Sequence, residues 1–351
     1  MDMCPDCTIN DRARGALVGL AIGDALGMPT QMMSRERIRA RFGELSGFEP
    51  APVENEISSR SPAGQVTDDT DQAMIVGRLL VEGQGSVDPA AFVARLMEWQ
   101  QTMVQIGSTD LLGPSTRRAL ESFRRGVPAE DTGRWGDTNG AAMRVAPIGI
   151  AVPPQPLVKL VEVVADTNRT THDTTVANAG AAAVAAAISA GVAGADPETA
   201  ALVGIRAAQL GAQHGHYVAG ADVAARLTWA RDLVLTSEDP LGVVYTLVGT
   251  GVSTQEAVSA AFAIVRLYPS DPWQACLAAA GLGGDSDTVA AMVGAMLGAC
   301  HGMSAFPAEA VATVMAANPQ LSVIELADQL LQLRGQPAED TAISTTADVS
   351  R

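Results

Sequence analysis

Two short aspartate clusters hold the side chains best suited to chemistry. Residues 61–71 read SPAGQVTDDTD and residues 283–288 read GGDSDT. Each runs straight into an apolar helical stretch: Ala73, Met74, Ile75 and Val76 after the first, Val289, Ala290, Ala291, Met292 and Val293 after the second. The acids therefore occupy helix N-termini. Capping accounts for either cluster alone, since Thr67 is a good N-cap and a helix dipole favours aspartates in its first turn. It accounts less well for two, because both helices are built of small residues that belong in a core, and buried carboxylates need cations or several donors. Neither cluster contains Lys or Arg, which leaves metal ions as natural partners. The donors are carboxylates and hydroxyls without nearby Cys or His, a set that suits Mg²⁺ or Mn²⁺ and disfavours zinc. Adjacent aspartates can bridge two ions. A metal pair would orient a water, lower its pKa and set positive charge beside a sugar hydroxyl or leaving group.

The elements that must position these acids are helices. Apolar residues recur at helical spacing at Ala16, Leu17, Leu20 and Ala21, at Ala73, Met74, Val76 and Leu80, at Phe92, Val93, Leu96 and Trp99, and at Val258, Ala261, Phe262 and Val265. No convincing alternating strand is present; residues 157–164 fit a short strand or a helix flank. Small residues at Gly15, Gly19, Gly23 and Gly27 give one helix a smooth face for close packing, and Asp24 interrupts that apolar run. Asp24 either braces a neighbouring loop or belongs to a site. Residues 41–60 and 134–146 look irregular, as functional segments often do.

Aromatic residues make up only 4% of the chain while Ala and Gly are plentiful, so the core volume must come from closely packed helices rather than an aromatic-rich sandwich. The fold class expected is all-α, a compact single-domain orthogonal helical bundle with a di-metal cleft. One folded unit is expected at residues 11–334, between loose tails at 1–10 and 335–351. A formal charge of −16 argues against nucleic acid or an anionic membrane as partner. The uncharged stretch from Val176 to Ala195 is as long as a membrane span, but its Ala and Gly content suits a buried core helix. Cys4, Cys7, Cys276 and Cys300 read as reduced thiols, no secretory signal opens the chain, and a cytoplasmic location follows. His214-Gly215-His216 reads as a surface loop, since a third metal ligand is missing nearby. No motif specifies an oligomeric state.

Taken together, GALVGLAIGDALG at 15–27, TDDT at 67–70, NGAAMRVAPIG at 139–149 and GGDSDT at 283–288 resemble the ADP-ribosylglycohydrolase family, with the motifs in family order. The resemblance implies an all-α fold, two divalent ions (Mg²⁺ or Mn²⁺) at the base of a cleft, and hydrolysis of the bond between ADP-ribose and an acceptor. It implies metal ligands at Thr67, Asp68, Asp69, Asp285, Asp287 and Thr288, and substrate contacts at Asp24, at Asn139, Gly140 and Met143, and at His172. Where many relatives carry a glutamate, this chain has Gln31, which cannot be a general base; Asp68 or Asp69 acting on water is expected to replace it. Asp173 adds a carboxylate where a phosphate could otherwise sit, which points to a smaller or less anionic substrate.

The partners expected are therefore an ADP-ribosylated protein or a small ribosyl substrate such as a nucleoside or ribosyl phosphate. The family is also thought to include lens crystallins, but six retained ligand positions argue against a structural role. An isoprenoid-type enzyme would place acids at i, i+1 and i+4 on one helix face. Asp68, Asp69 and Asp71 stand at i, i+1 and i+3.

Overall fold

Glycine spacing decides the centre of the molecule. The helix Ile9–Gly27 runs antiparallel to Ser286–His301, and the face formed by Gly15, Gly19, Gly23 and Gly27 lies against its partner's backbone. A Cβ at these positions would stand 2.3 Å from Gly298 O, 2.2 Å from Gly294 O, 2.0 Å from Ala290 O and 2.3 Å from Asp287 Cα. Gly294 and Gly298 return the approach from the opposite side, each meeting a carbonyl at 2.0 Å. Only the absence of side chains lets two backbones come this close, so the expected smooth face is a ladder of direct backbone contacts.

The computed structural model describes residues 8–105, 108 and 112–335. Among them the regular elements are helices, as expected, and the only β pairing consists of isolated bridges between loops. Thr175–Val192 is long and apolar enough to cross a membrane, but 94% of it is buried inside the protein, so it is a core helix. It packs against Pro197–Gly211, Ala146–Ala151 and Ser286–His301. Residues 157–164, which fit either element, belong to the helix Leu157–Asn168, whose inner face is Leu160, Val161, Val164 and Ala165. Val323–Arg334 closes the fold against Ile9–Gly27, and Arg334 fastens it to the end of Ala146–Ala151 and to Ser189. Arg334 Nη1 donates to the carbonyls of Gly149, Ile150 and Val152, each at 3.0 Å, satisfying acceptors that the end of Ala146–Ala151 leaves open.

Within the stretch expected as a loose tail, residues 1–10, Thr8 accepts from the Asp11 amide as an N-cap, and Ile9 and Asn10 are helical. Residues 1–7 and 336–351 lie outside the described residues, and Cys4 and Cys7 with them. Cys276 and Cys300 are both buried, and burial pushes the Cys276 thiol up in pKa, so it fills space rather than reacts. Of the segment expected to be irregular at 41–60, Arg41 and Phe42 end the helix Arg35–Phe42, and no helix or strand lies between 43 and 67.

Candidate active site

Both aspartate clusters are helix N-termini, as their sequences require, and the helix pair brings them together. Thr67 caps Asp68–Glu82, accepting from the Asp69 amide at 3.3 Å. Asp285 occupies the N-cap position of Ser286–His301, yet its side chain takes no helix amide. It accepts instead from Asn139 Nδ2. Capping thus explains Thr67 and leaves the Asp285 carboxylate for another use. The clusters meet at Asp69 Oδ2, which accepts from Thr67 Oγ1 at 3.2 Å and from Thr288 Oγ1 at 3.3 Å, one hydroxyl from each cluster.

Loop glycines complete the approach. Gly283 and Gly284 have φ of +86° and +71°, and a Cβ on Gly284 would sit 2.3 Å from Thr250 O. The tight path lets the Asp285 amide donate to Thr250 O at 2.7 Å, while Gly284 and Met33 pair as a bridge that ties in the Gln31 loop.

Electrostatics at this point are one-sided. Ligand oxygens of Asp24, Asp69 and Asp287, all buried, lie within 4.8 Å of one another. Asp24 is satisfied, accepting from the Thr67 amide at 3.0 Å, the Thr70 amide at 3.1 Å and the Thr70 hydroxyl. Burial still raises its pKa to about 6. Asp69 Oδ1 and Asp287 Oδ1 are buried with no hydrogen-bond partner. Burial, and then the neighbouring carboxylates, push the pKa of both well above the usual carboxylate range; burial raises Asp285 too. Two buried carboxylate oxygens without donors, facing other acids, fit a site that takes a cation. The set is all oxygen, which fits Mg²⁺ or Mn²⁺.

Above the acids is a cavity of about 310 Å³, at the lower end of the span of small-molecule sites. Gln31, Asp68, Asp69, Asn139, Gly140, Met143, Asp285, Asp287 and Thr288 line it, so the structure unites nine residues singled out from the sequence. The other four stand elsewhere. Thr67 lies behind Asp69, and Asp24 lies beneath the cluster as the brace of the Thr67 turn. His172 is fully buried behind the cavity wall; a Cβ on Gly140 would meet its ring at 2.9 Å.

Asp173 requires correction: it faces away from the cavity, pairing with His216 at 3.7 Å and accepting from Asn178 Nδ2 at 3.5 Å. The reason is local. The Thr174 amide donates to His172 O at 2.9 Å, closing a tight turn centred on Asp173, and the Asp173 carbonyl accepts from the His216 amide at 2.9 Å, which sets Asp173 beside the His216 loop. His172 is buried behind the cavity wall while Asp173 is held toward His216. Backbone amides of the Asn139 segment are committed within the chain. The Asn139 amide donates to Val252 O at 3.0 Å, and those of Ala142 and Met143 donate to Asn139 O. Asp71 accepts from Trp99 Nε1 at 2.8 Å, away from the cavity lining, which removes the isoprenoid arrangement.

Some of the wall was not singled out from the sequence: Leu112, Gly113, Pro114, Thr116 and Arg117 from one helix start, Ile57 from the irregular segment, and Val252. Gly-Pro at 113–114 marks a helix start but carries no chemical signal. Gln31 donates to Ser58 Oγ at 2.5 Å, and Asn55 holds the same loop through Gln31 O at 3.3 Å.

The chain matches the ADP-ribosylglycohydrolase family over residues 5–340. It belongs to that family. Protein YegU of Escherichia coli K12 is similar at 35% identity over 93% of this chain and 98% of its own. The ADP-ribosyl-[dinitrogen reductase] glycohydrolase of Rhodospirillum rubrum is similar at 27% identity over 86% of this chain and 89% of its own. A solved structure described as an ADP-ribosylglycohydrolase-related protein complex aligns with a TM-score of 0.70 at 25% identity, covering 93% of this chain and 98% of that one. The all-α reading and the family resemblance both hold, and membership makes this ADP-ribosylglycohydrolase a hydrolase of ADP-ribose linkages.

Proposed function

We propose that the chain hydrolyses the glycosidic bond between ADP-ribose and an acceptor, a protein side chain or a metabolite, at a centre of two divalent cations. Thr67, Asp68, Asp69, Asp285, Asp287 and Thr288 would hold the cations, Mg²⁺ or Mn²⁺. One observation carries this: Asp69 Oδ1 and Asp287 Oδ1 are buried, unpartnered and set among other carboxylates. Bound cations would supply positive charge to lower the pKa of a water and to stabilise a leaving oxyanion or sugar alkoxide.

The residues of this chain do the rest. Asp68 is only half-buried and lines the cavity, so its carboxylate is the one suited to take a proton from an attacking water. Asp69, with Oδ2 occupied by two threonine hydroxyls, is better suited to hold a cation than to move. Asn139 orients Asp285, and the apolar wall of Leu112, Pro114, Met143 and Val252 excludes water from the bond to be cleaved. The cavity volume favours a second reading, in which the substrate is a smaller ribosyl metabolite on the same centre.

The test is release of free ADP-ribose from an ADP-ribosylarginine substrate with and without Mg²⁺ or Mn²⁺, comparing wild type with Asp287→Ala and Asp69→Ala. Metal-dependent release lost in both variants is expected. No release despite stoichiometric metal binding would move the assignment to the smaller ribosyl substrate.

A further inference from the structure

Asp68 and Thr138 line the same cavity, and a run of buried hydrogen bonds joins them through Arg144. We infer that Arg144 is the positioning residue of this site: by donating in two directions, it dictates which end of the Gln72 amide faces Asp68 and which nitrogen of His172 carries the proton behind Thr138.

The argument starts from what a guanidinium can do: it donates and never accepts. Arg144 Nη1 donates to Gln72 Oε1 at 2.7 Å. With its oxygen committed, the amide has only its NH₂ left to face Asp68, and Gln72 Nε2 lies 2.7 Å from Asp68 Oδ2. Flipping the amide would set NH₂ against the guanidinium and oxygen against the carboxylate, two repulsive contacts. Asp68 Oδ2 is therefore held as an acceptor.

The second direction follows the same rule. Arg144 Nη2 donates to Thr171 Oγ1 and lies 3.4 Å from His172 Nδ1. Thr171 Oγ1, supplied with that proton, keeps its own hydrogen for Nδ1 at 2.9 Å. Faced by a cation and a hydroxyl, Nδ1 accepts. A neutral ring then carries its proton on Nε2 and donates it to Thr138 Oγ1 at 3.1 Å, and Thr138 in turn donates to Ser115 Oγ at 2.9 Å. Every bond points outward from Arg144. Burial and the guanidinium both hold the His172 pKa well below its usual value, so the ring stays neutral. Burial lowers Arg144 to about 9, which still leaves it a cation at neutral pH, and the Phe92 ring supports it at 4.9 Å.

The residue that Gln72 orients is one of the proposed metal ligands, so half of the inference rests on the proposed function and the tautomer half does not. Partners behind a metal ligand change metal affinity by about 10–100-fold. Gln72→Leu is expected to lose Mn²⁺ affinity by that factor in calorimetry, with its melting temperature near that of wild type.

The ¹⁵N spectrum of histidine-labelled wild-type protein is expected to show His172 protonated on Nε2 with a bare Nδ1, unchanged between about pH 5 and pH 8. Arg144→Lys, which still donates both ways, keeps that signature, and Arg144→Met loses it. A ring protonated on Nδ1, or an equal mixture, overturns the arginine's role even if no variant folds. Unchanged Mn²⁺ affinity in Gln72→Leu overturns the Asp68 half. A wild type that binds no Mn²⁺ sinks the proposed centre, while the ¹⁵N spectrum still decides the role of Arg144.

Discussion

The paired helices Ile9–Gly27 and Ser286–His301 make the same close approach at both ends, with opposite consequences. At the Gly15 and Gly298 end, backbone meets backbone among Leu17, Ala295, Leu297 and Phe306, and the contact is apolar and stabilising. At the Gly27 and Asp287 end, it crowds Asp24, Asp69 and Asp287 within 4.8 Å and leaves two of their oxygens without donors. Packing at one end thus sustains an arrangement at the other that would not assemble by itself. The acid end is a local deficit in stability, and such deficits collect where function requires them.

The sharpest way to break the comparison is to remove one residue from each end. Asp287→Ala is expected to lower kcat/KM by roughly 100-fold or more, because it removes a proposed cation ligand, and loss of even an outer partner of such a ligand costs about 10–100-fold. It should not lower the melting temperature of cation-free protein, because an unpartnered buried carboxylate is removed. Gly19→Ala does the reverse. Its Cβ would stand 2.2 Å from Gly294 O, and overpacking of this kind costs about 1–3 kcal/mol or more. Loss of folded protein is expected before any change in the chemistry of the molecules that remain folded. A destabilised Asp287→Ala, or a Gly19→Ala as stable as wild type, would erase the distinction between the two ends.

The next largest effect is in pH and cations. Asp24 has a pKa raised to about 6 in the folded state by burial, against an unfolded value near 3.8. The folded state therefore binds this proton more tightly. The resulting stability is present in full below about pH 4 and is lost as pH rises through about 6, by up to about 3 kcal/mol. Asp69 and Asp287 shift in the same direction. Asp196 and Asp328 are shifted down, chiefly by hydrogen bonds from Thr199 and Arg14, and oppose the trend only at lower pH, while His172, held neutral by burial, opposes it as pH falls through about 6.5, one group against the three raised carboxylates. Cation-free protein should melt at a higher temperature at pH 5 than at pH 7. At pH 7, Mn²⁺ at a hundred times its Kd should restore about 2.7 kcal/mol. A melting temperature that is flat from pH 7 to pH 5 and indifferent to Mn²⁺ would sink this account of the acid end.

The acid clusters and the glycine ladder were legible in the sequence because each is a local pattern. Thr67-Asp68-Asp69 stands directly before a helix, and glycines every fourth residue mark a helix face. Their mutual placement was legible only through the family resemblance, since nothing in the spacing says that Gly23 faces Ala290. Leu112, Ile57 and Val252 went unnoticed because an apolar residue that lines a cavity looks like any other apolar residue. Arg144 lay inside a quoted motif, yet its importance depends on Gln72 and Thr171, each remote in sequence. Side-chain direction across a turn was the least legible property of all, as the neighbours His172 and Asp173 demonstrate.

The smallest expected effect tests that pair. The family resemblance suggested Asp173 as a carboxylate standing where a phosphate could sit, but the chain turns it toward His216 at 3.7 Å, with side chains 20% and 44% exposed. Pairs of that kind contribute about 0–1 kcal/mol. Asp173→Asn is therefore expected to keep kcat/KM on the ADP-ribosylarginine substrate within about twofold and stability within about 0.5 kcal/mol. Asp68→Asn, from the acid end, should depress kcat/KM steeply in the same assay. If Asp173→Asn lowered KM for ADP-ribosylated substrates selectively over uncharged ribosides, the carboxylate would be acting on bound phosphate after all. The contrast between an acid that faces the cavity and one that only precedes a helix would then have to be redrawn.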